Sequence, residues 1–175
     1  MLIFYEHWHY TKNRVMGMRN TCLCYIENNS RYLMMHRVKK QVDENKNKWI
    51  GIGGKFEEGE SPEDCAVREI REETGLWFSP QELRYRAVVT FVSDEWGTEY
   101  MHLFTASADG EKLSSLRMEK DAEGVLEWVP VSEVVRLPIW EGDRIFLQLL
   151  VEDAPFFSLK LEYQGDTLIN HTLYR

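Results

Sequence analysis

Short apolar runs broken by polar turns, and one stretch of helical period, mark the elements of this chain. Strand-like apolar runs over 21–27 and again over 31–37 predict paired strands, with Asn28, Asn29 and Ser30 as the turn between them. Residues 38–48 are rich in Lys, Asn, Asp and Glu and read as an exposed loop. A short strand over 49–52 leads into Gly53 and Gly54. A helix follows with strong start signals: Ser61 as N-cap, Pro62 in the first helical position, and Glu63 and Asp64 in the first turn. It ends at Thr74, with Gly75 supplying the C-terminal turn. Ala66, Val67, Ile70 and Thr74 form the apolar arc that would seat it on a sheet. Further strands are expected over 84–93, 99–107 and 125–129, a second helix over 142–152, and two short strands after Phe157 around Gln164, Gly165 and Asp166. There is no internal repeat and no low-complexity linker. Strands and helices interleave without regular βαβ spacing, which predicts an α/β domain with a mixed sheet flanked by helices.

Residues 1–17 read differently. The run from Glu6 to Tyr10 is aromatic-rich without a sustained period, and His7 and His9 share a face only if extended. We take 1–17 as an N-terminal extension of unknown role and 18–175 as the domain. A chain of 175 residues is one ordinary domain. Nothing in it approaches the apolar length of a membrane span, and the start lacks the pattern of a secretory signal. Cys22, Cys24 and Cys65 have no zinc spacing and read as small buried thiols in a reducing cytoplasm. The formal net charge of -8 argues against a nucleic-acid polymer as partner. If such a chain handles phosphates, it does so locally, through a bound cation and a few placed basic side chains.

The candidate chemistry lies between Gly54 and Leu76. Glu69, Glu72 and Glu73 stand at i, i+3 and i+4 and so share a helix face. Like charges so placed repel by a few tenths of a kcal/mol per pair, and near a helix C-terminus the macrodipole opposes them too. Helix stability does not explain them. A hard divalent cation does, and magnesium or manganese suits carboxylate oxygens. Gly53, Gly54 and Lys55 precede the helix on a loop where backbone N–H groups and a positive charge can approach an anion. A helix with Arg-Glu-Ile-Arg-Glu-Glu is by itself usually a solvated face. Here it is part of a longer constraint, G-x5-E-x7-R-E-U-x-E-E-x-G-U with U aliphatic, whose nine fixed positions are all met across 23 residues.

That string resembles the Nudix box, and over 20–170 the chain is similar to the MutT-like 8-oxo-dGTP diphosphatase group. The resemblance implies a Nudix-type α/β/α sandwich with a mixed β-sheet and hydrolysis of a nucleoside diphosphate linked to another group. It implies magnesium (or manganese) held by Glu69, Glu72, Glu73 and the backbone of Gly54, with Glu123 recruited from a later loop; Glu119 and Glu127 compete for that place. Glu60 and Arg68 would hold the loop against the helix. Glu73 or Glu123 would act as base, with Glu72 in the same catalytic set, and Lys55 and Arg37 would bind phosphate. Trp140 would stack on a purine and Asp143 would read its edge; plain core packing is the competing account of Trp140. Ile50 departs from the asparagine of the mammalian members, so an edge contact is missing or replaced. The substrate implied is a nucleotide, foremost an oxidised purine triphosphate such as 8-oxo-dGTP, removed from the nucleotide pool. Undamaged triphosphates, nucleotide sugars and RNA 5′ ends remain alternatives, as does a non-catalytic binding module.

Overall fold

The structure is a computed structural model that describes residues 18–38, 43–118 and 124–175. Eight strands and two helices run in the order β1 (Arg19–Asn28), β2 (Arg31–His36), β3 (Trp49–Ile50), α1 (Pro62–Thr74), β4 (Arg84–Ser93), β5 (Gly97–Ser107), β6 (Val125–Pro130), α2 (Glu141–Val151), β7 (Phe157–Gln164) and β8 (Thr167–Tyr174). The strands form one sheet in the order β3-β2-β1-β5-β4-β7-β8, with β6 also paired to β2. β1 runs parallel to β5 and β4 parallel to β7, while the remaining pairs are antiparallel. The sheet is therefore mixed.

Local chemistry accounts for the elements. Asn29 and Ser30 both take positive φ, 48° and 57°, which is the two-residue turn whose twist matches a hairpin. In α1 the Ser61 hydroxyl accepts from the Asp64 N–H while Asp64 accepts from the Ser61 N–H, closing a capping box. Gly75, at φ 76°, ends the helix in the left-handed conformation, and its N–H bonds Arg71 O at 3.0 Å.

Alternation sends β1 side chains to both faces. Cys22, Cys24 and Ile26 join Leu33, Ile52, Cys65, Ala66, Ile70 and Phe104 under α1. Tyr25 joins Met34, Val89, Leu103, Phe146, Leu150 and Leu159 under α2. A helix thus covers each face, giving the α/β/α sandwich. All three cysteines are free, buried thiols. Among the described residues no helix is long and apolar enough to cross a membrane.

One irregularity places the loop that matters. β2 pairs with β1 only over Arg31 to Leu33, then with β3 through Met35–Ile50 and His36–Trp49. The chain after β3 wedges into the gap and bonds β1 instead: Cys24 exchanges backbone bonds with Ile52, and the Cys22 N–H reaches Gly54 O at 2.9 Å. Gly53 and Gly54 are pinned in the sheet next to α1.

Three expectations change. Val67 is only half-buried; Cys65 takes its place in the arc that seats α1, because the helix leans toward β1. β5 begins at Gly97, two residues early, since the tight turn over 94–96 leaves its whole length free to pair with β4. Asp43, Glu44 and Asn45, read as part of an exposed loop, instead wall the cleft described next, with the Asp43 side chain only 6% exposed, while Lys46 and Asn47 are exposed as expected.

Candidate active site

A cleft of about 770 Å³ opens where the Gly53–Gly54 loop, the acidic face of α1, the start of β1 and the N-terminus of α2 meet. That is an ordinary volume for a small-molecule site. It has two chemically distinct neighbourhoods.

The first is carboxylate-rich. Arg68 is its hub. Its Nε and Nη2 grip the two oxygens of Glu60 at 2.6 and 3.0 Å, its Nη1 donates to Glu69 at 2.8 Å and Glu72 at 3.2 Å, and its Nη2 also donates to Lys55 O at 3.0 Å. One guanidinium thus ties the loop to the helix by a fork and a backbone bond. The Arg68 guanidinium holds the Glu60 carboxyl down at about 2. Glu73 turns the other way and accepts from the Gly53 N–H at 3.1 Å. Among the described residues no three His, Cys, Asp or Glu side chains converge on one point. The donors nevertheless suit a hard cation: oxygens only, on adjacent helical turns, beside a backbone with no side chain in the way. A Cβ on Gly54 would lie 2.4 Å from the Glu69 Oε1.

Lys55 and Arg37 line the same cleft, and Arg37 bonds Asp43 at 2.9 Å. Glu123 and Glu119 lie outside the described residues. Glu127, their competitor, sits in β6 opposite Met34 and does not line the cleft.

The second neighbourhood is aromatic. Trp140 is 6% exposed and packs edge-on to Phe91 and Tyr163. Its indole N–H donates to Asn45 Oδ1 at 2.9 Å, and Lys48 Nζ lies 4.0 Å above the ring. Trp140 therefore belongs to the core and to the cleft wall at once. Asp143 is also 6% exposed, in the first turn of α2. Burial, with the negative charge of Glu99 second, pushes its carboxyl up to about 8 against the pull of Lys48 and Arg144. Ile50 is buried against Met35 and contributes apolar wall.

Some of the wall escapes sequence reasoning. Glu99 accepts from Thr21 Oγ1 at 2.7 Å and from Arg19 Nε at 2.8 Å, and Arg19 also pairs with Glu44. This chain of charges links β5, β1 and the 43–48 segment across the cleft mouth. The sequence carries no signal for it, because the partners meet only through the parallel β1–β5 pairing.

The fold is that of MutT-type proteins. A MutT protein from Bacillus halodurans superposes with a TM-score of 0.74 over 89% of this chain and 97% of that one, at 22% identity. The NUDIX domain of Shewanella oneidensis NrtR, solved with ADP ribose, gives 0.63 over 83% and 94%, at 16% identity. At those identities the likeness is one of fold. The NUDIX domain family matches residues 17–150. The uncharacterized Nudix hydrolase YvcI of Bacillus subtilis is 30% identical over 132 residues, 74% of this chain and 77% of that protein. The oxidized purine nucleoside triphosphate hydrolase of Danio rerio is 28% identical over 130 residues, 72% of this chain and 77% of that one. The chain belongs to the Nudix hydrolase family.

Proposed function

We propose that this enzyme hydrolyses purine nucleoside triphosphates to monophosphate and pyrophosphate, preferring oxidised purines such as 8-oxo-dGTP. The observation that carries the reading is Asp143: a buried carboxyl beside a tryptophan, in the same cleft as the acidic helix face, where burial pushes its pKa up to about 8 and favours the protonated form. In that state it offers both an O–H donor and a carbonyl acceptor, the pair needed at a purine edge that gains an N–H and a carbonyl on oxidation. Trp140 gives the plate on which the base stacks, with the base replacing Lys48 over the ring. The names of the Danio rerio and Mus musculus relatives, oxidized purine nucleoside triphosphate hydrolases, support the substrate class.

Glu69, Glu72, Glu73 and the Gly54 backbone would hold magnesium or manganese, with Arg68 yielding its hold on Glu69 and Glu72. A cation held there would supply charge neutralisation at phosphate oxygens and a water of lowered pKa. Glu73, oriented by the Gly53 N–H, takes the proton from the attacking water as its oxygen bonds to phosphorus and the P–O anhydride bond to the pyrophosphate breaks. Glu72 and Glu123 complete the catalytic set. Lys55 and Arg37 steady the departing pyrophosphate. Residues 18–175 make up the catalytic domain, acting in a reducing cytoplasm.

The test is pyrophosphate release from 8-oxo-dGTP, dGTP, other oxidised purines and ADP-ribose under one set of conditions. The expected result is a preference of tenfold or more in kcat/KM for oxidised purines, lost in Asp143→Ala. Equal rates for dGTP and 8-oxo-dGTP would overturn the substrate assignment; full turnover by Glu73→Gln would overturn the catalytic one.

A further inference from the structure

A second cavity, of about 480 Å³, lies outside the cleft against the outer side of α1. Asp64, Arg71, Trp77 and Arg117 line it, together with Arg68 and Glu72, which also line the cleft, so three arginines face two carboxylates there. The two hollows therefore adjoin at the acidic helix face.

Its chemistry is unusual for this molecule. Trp77 is 59% exposed, and the Arg71 guanidinium lies 5.2 Å from its ring. Arg117 gives one N–H to Arg71 O, at 3.2 Å, at the C-terminal end of α1. Neither Arg71 nor Arg117 forms an ion pair among the described residues. In a chain of net charge -8, two guanidiniums with no ion pair among the described residues stand beside an indole that is mostly open to solvent. A guanidinium fork recognises phosphate oxygens, and an indole face binds a planar ring by stacking. No local fold requirement places Trp77 there, since its neighbours Leu76 and Phe78 are the buried residues of that segment.

We propose that Trp77, Arg71 and Arg117 form a second subsite that takes a phosphorylated nucleoside, its base on Trp77 and its phosphate between the two arginines. The subsite is separate from the one that reads the base through Asp143, and its binding does not depend on turnover. The nucleoside phosphate has two possible sources: a free mononucleotide, such as the reaction product, or the far half of a substrate bearing a nucleoside at each end of its phosphate chain.

The experiment titrates the full-length protein with GMP, by calorimetry in the absence of divalent cations. It compares wild type, Trp77→Ala, Arg71→Gln and the cleft variant Asp143→Ala. Trp77 and the Arg71 side chain are exposed, so both substitutions should leave the melting temperature unchanged. The expected result is a binding event that survives Asp143→Ala and weakens about fivefold or more in both outer-face variants, in keeping with the value of one stacked base. Hydrolysis then separates the sources. If Trp77→Ala raises KM for a dinucleoside tetraphosphate but not for a nucleoside triphosphate, the far half of a substrate occupies the subsite. If it changes neither KM, a free nucleotide does. Binding of GMP that is unaffected by Trp77→Ala and Arg71→Gln, or no binding outside the cleft, would overturn the proposal. Because the isotherm is read without catalysis, that failure is distinct from a failure of the substrate panel.

Discussion

Gly53 and Gly54 are neighbours, yet adding one methyl group to each should have opposite consequences. A Cβ on Gly54 would meet the Glu69 carboxylate at 2.4 to 2.9 Å and nothing else closer. The obstacle is the end of a flexible side chain, so Glu69 can swing away. It would lose its bond from Arg68, a charge-assisted contact near the surface worth about 1 kcal/mol. For a chain of this size that lowers the melting temperature by about 2–4 °C. The displaced carboxylate, however, no longer meets the cation, and we expect kcat/KM to fall about 100-fold, or about 2.7 kcal/mol of transition-state stabilisation. A Cβ on Gly53 would lie 2.0 Å from the carbonyl oxygen of Cys22 and 2.7 Å from its carbon. Those are backbone atoms of β1 and cannot turn aside. Gly53→Ala should therefore cost at least about 3 kcal/mol of stability, with activity lost through unfolding. The assay is a pair of thermal melts with magnesium-dependent pyrophosphate release on the folded fraction. If Gly54→Ala kept wild-type turnover, or melted as early as Gly53→Ala, the account of the Glu69 pocket would be wrong.

The buried acid gives a pH signature. The folded-state value of Asp143, about 8, lies above its ordinary one, so the folded protein holds a proton the unfolded chain releases. Its contribution to stability is complete at low pH and declines as pH rises from about 4 to 8; Asp143→Asn should flatten that decline in a series of melts. Selectivity for oxidised purines should fade above pH 8 for the same reason. Chelation should abolish turnover, and either magnesium or manganese should restore it. Asn45→Ala frees the indole of Trp140, which should raise KM severalfold with little change in kcat, since the base stacks less well while the phosphate chemistry is untouched. A fall in kcat with KM constant would contradict the division of the cleft.

The bounds of α1 are legible because their signals are local: a capping serine, a proline and a terminal glycine; its buried arc is legible only in part, since Cys65 rather than Val67 faces the sheet. The strands were legible from local signals as well. The glutamates were legible as a group because their placement contradicts helix stability. What could not be read is what distance brings together. Arg19 and Glu99 meet from 80 residues apart through a parallel pairing that no alternation encodes. Residues 43–45 are polar enough to pass for a solvated loop, and their role as a wall depends on Arg37, Arg19 and Trp140 arriving from elsewhere in the chain. Trp140 was read as either core or base plate, and its position in both the core and the cleft wall explains why composition could not choose.

The mixed sheet also has a temporal meaning. β1 is synthesised early but its parallel partner, β5, follows about 80 residues later, and β4 waits similarly for β7, where Ala87 faces Phe157. The wedge of Gly53 and Gly54 against β1 can form early, whereas Trp140 and Asp143 arrive with α2. Contacts of such separation slow folding and delay its completion. On the ribosome, the acidic helix would be made long before the surface that selects its substrate, so that the cleft is completed only when nearly the whole chain has emerged.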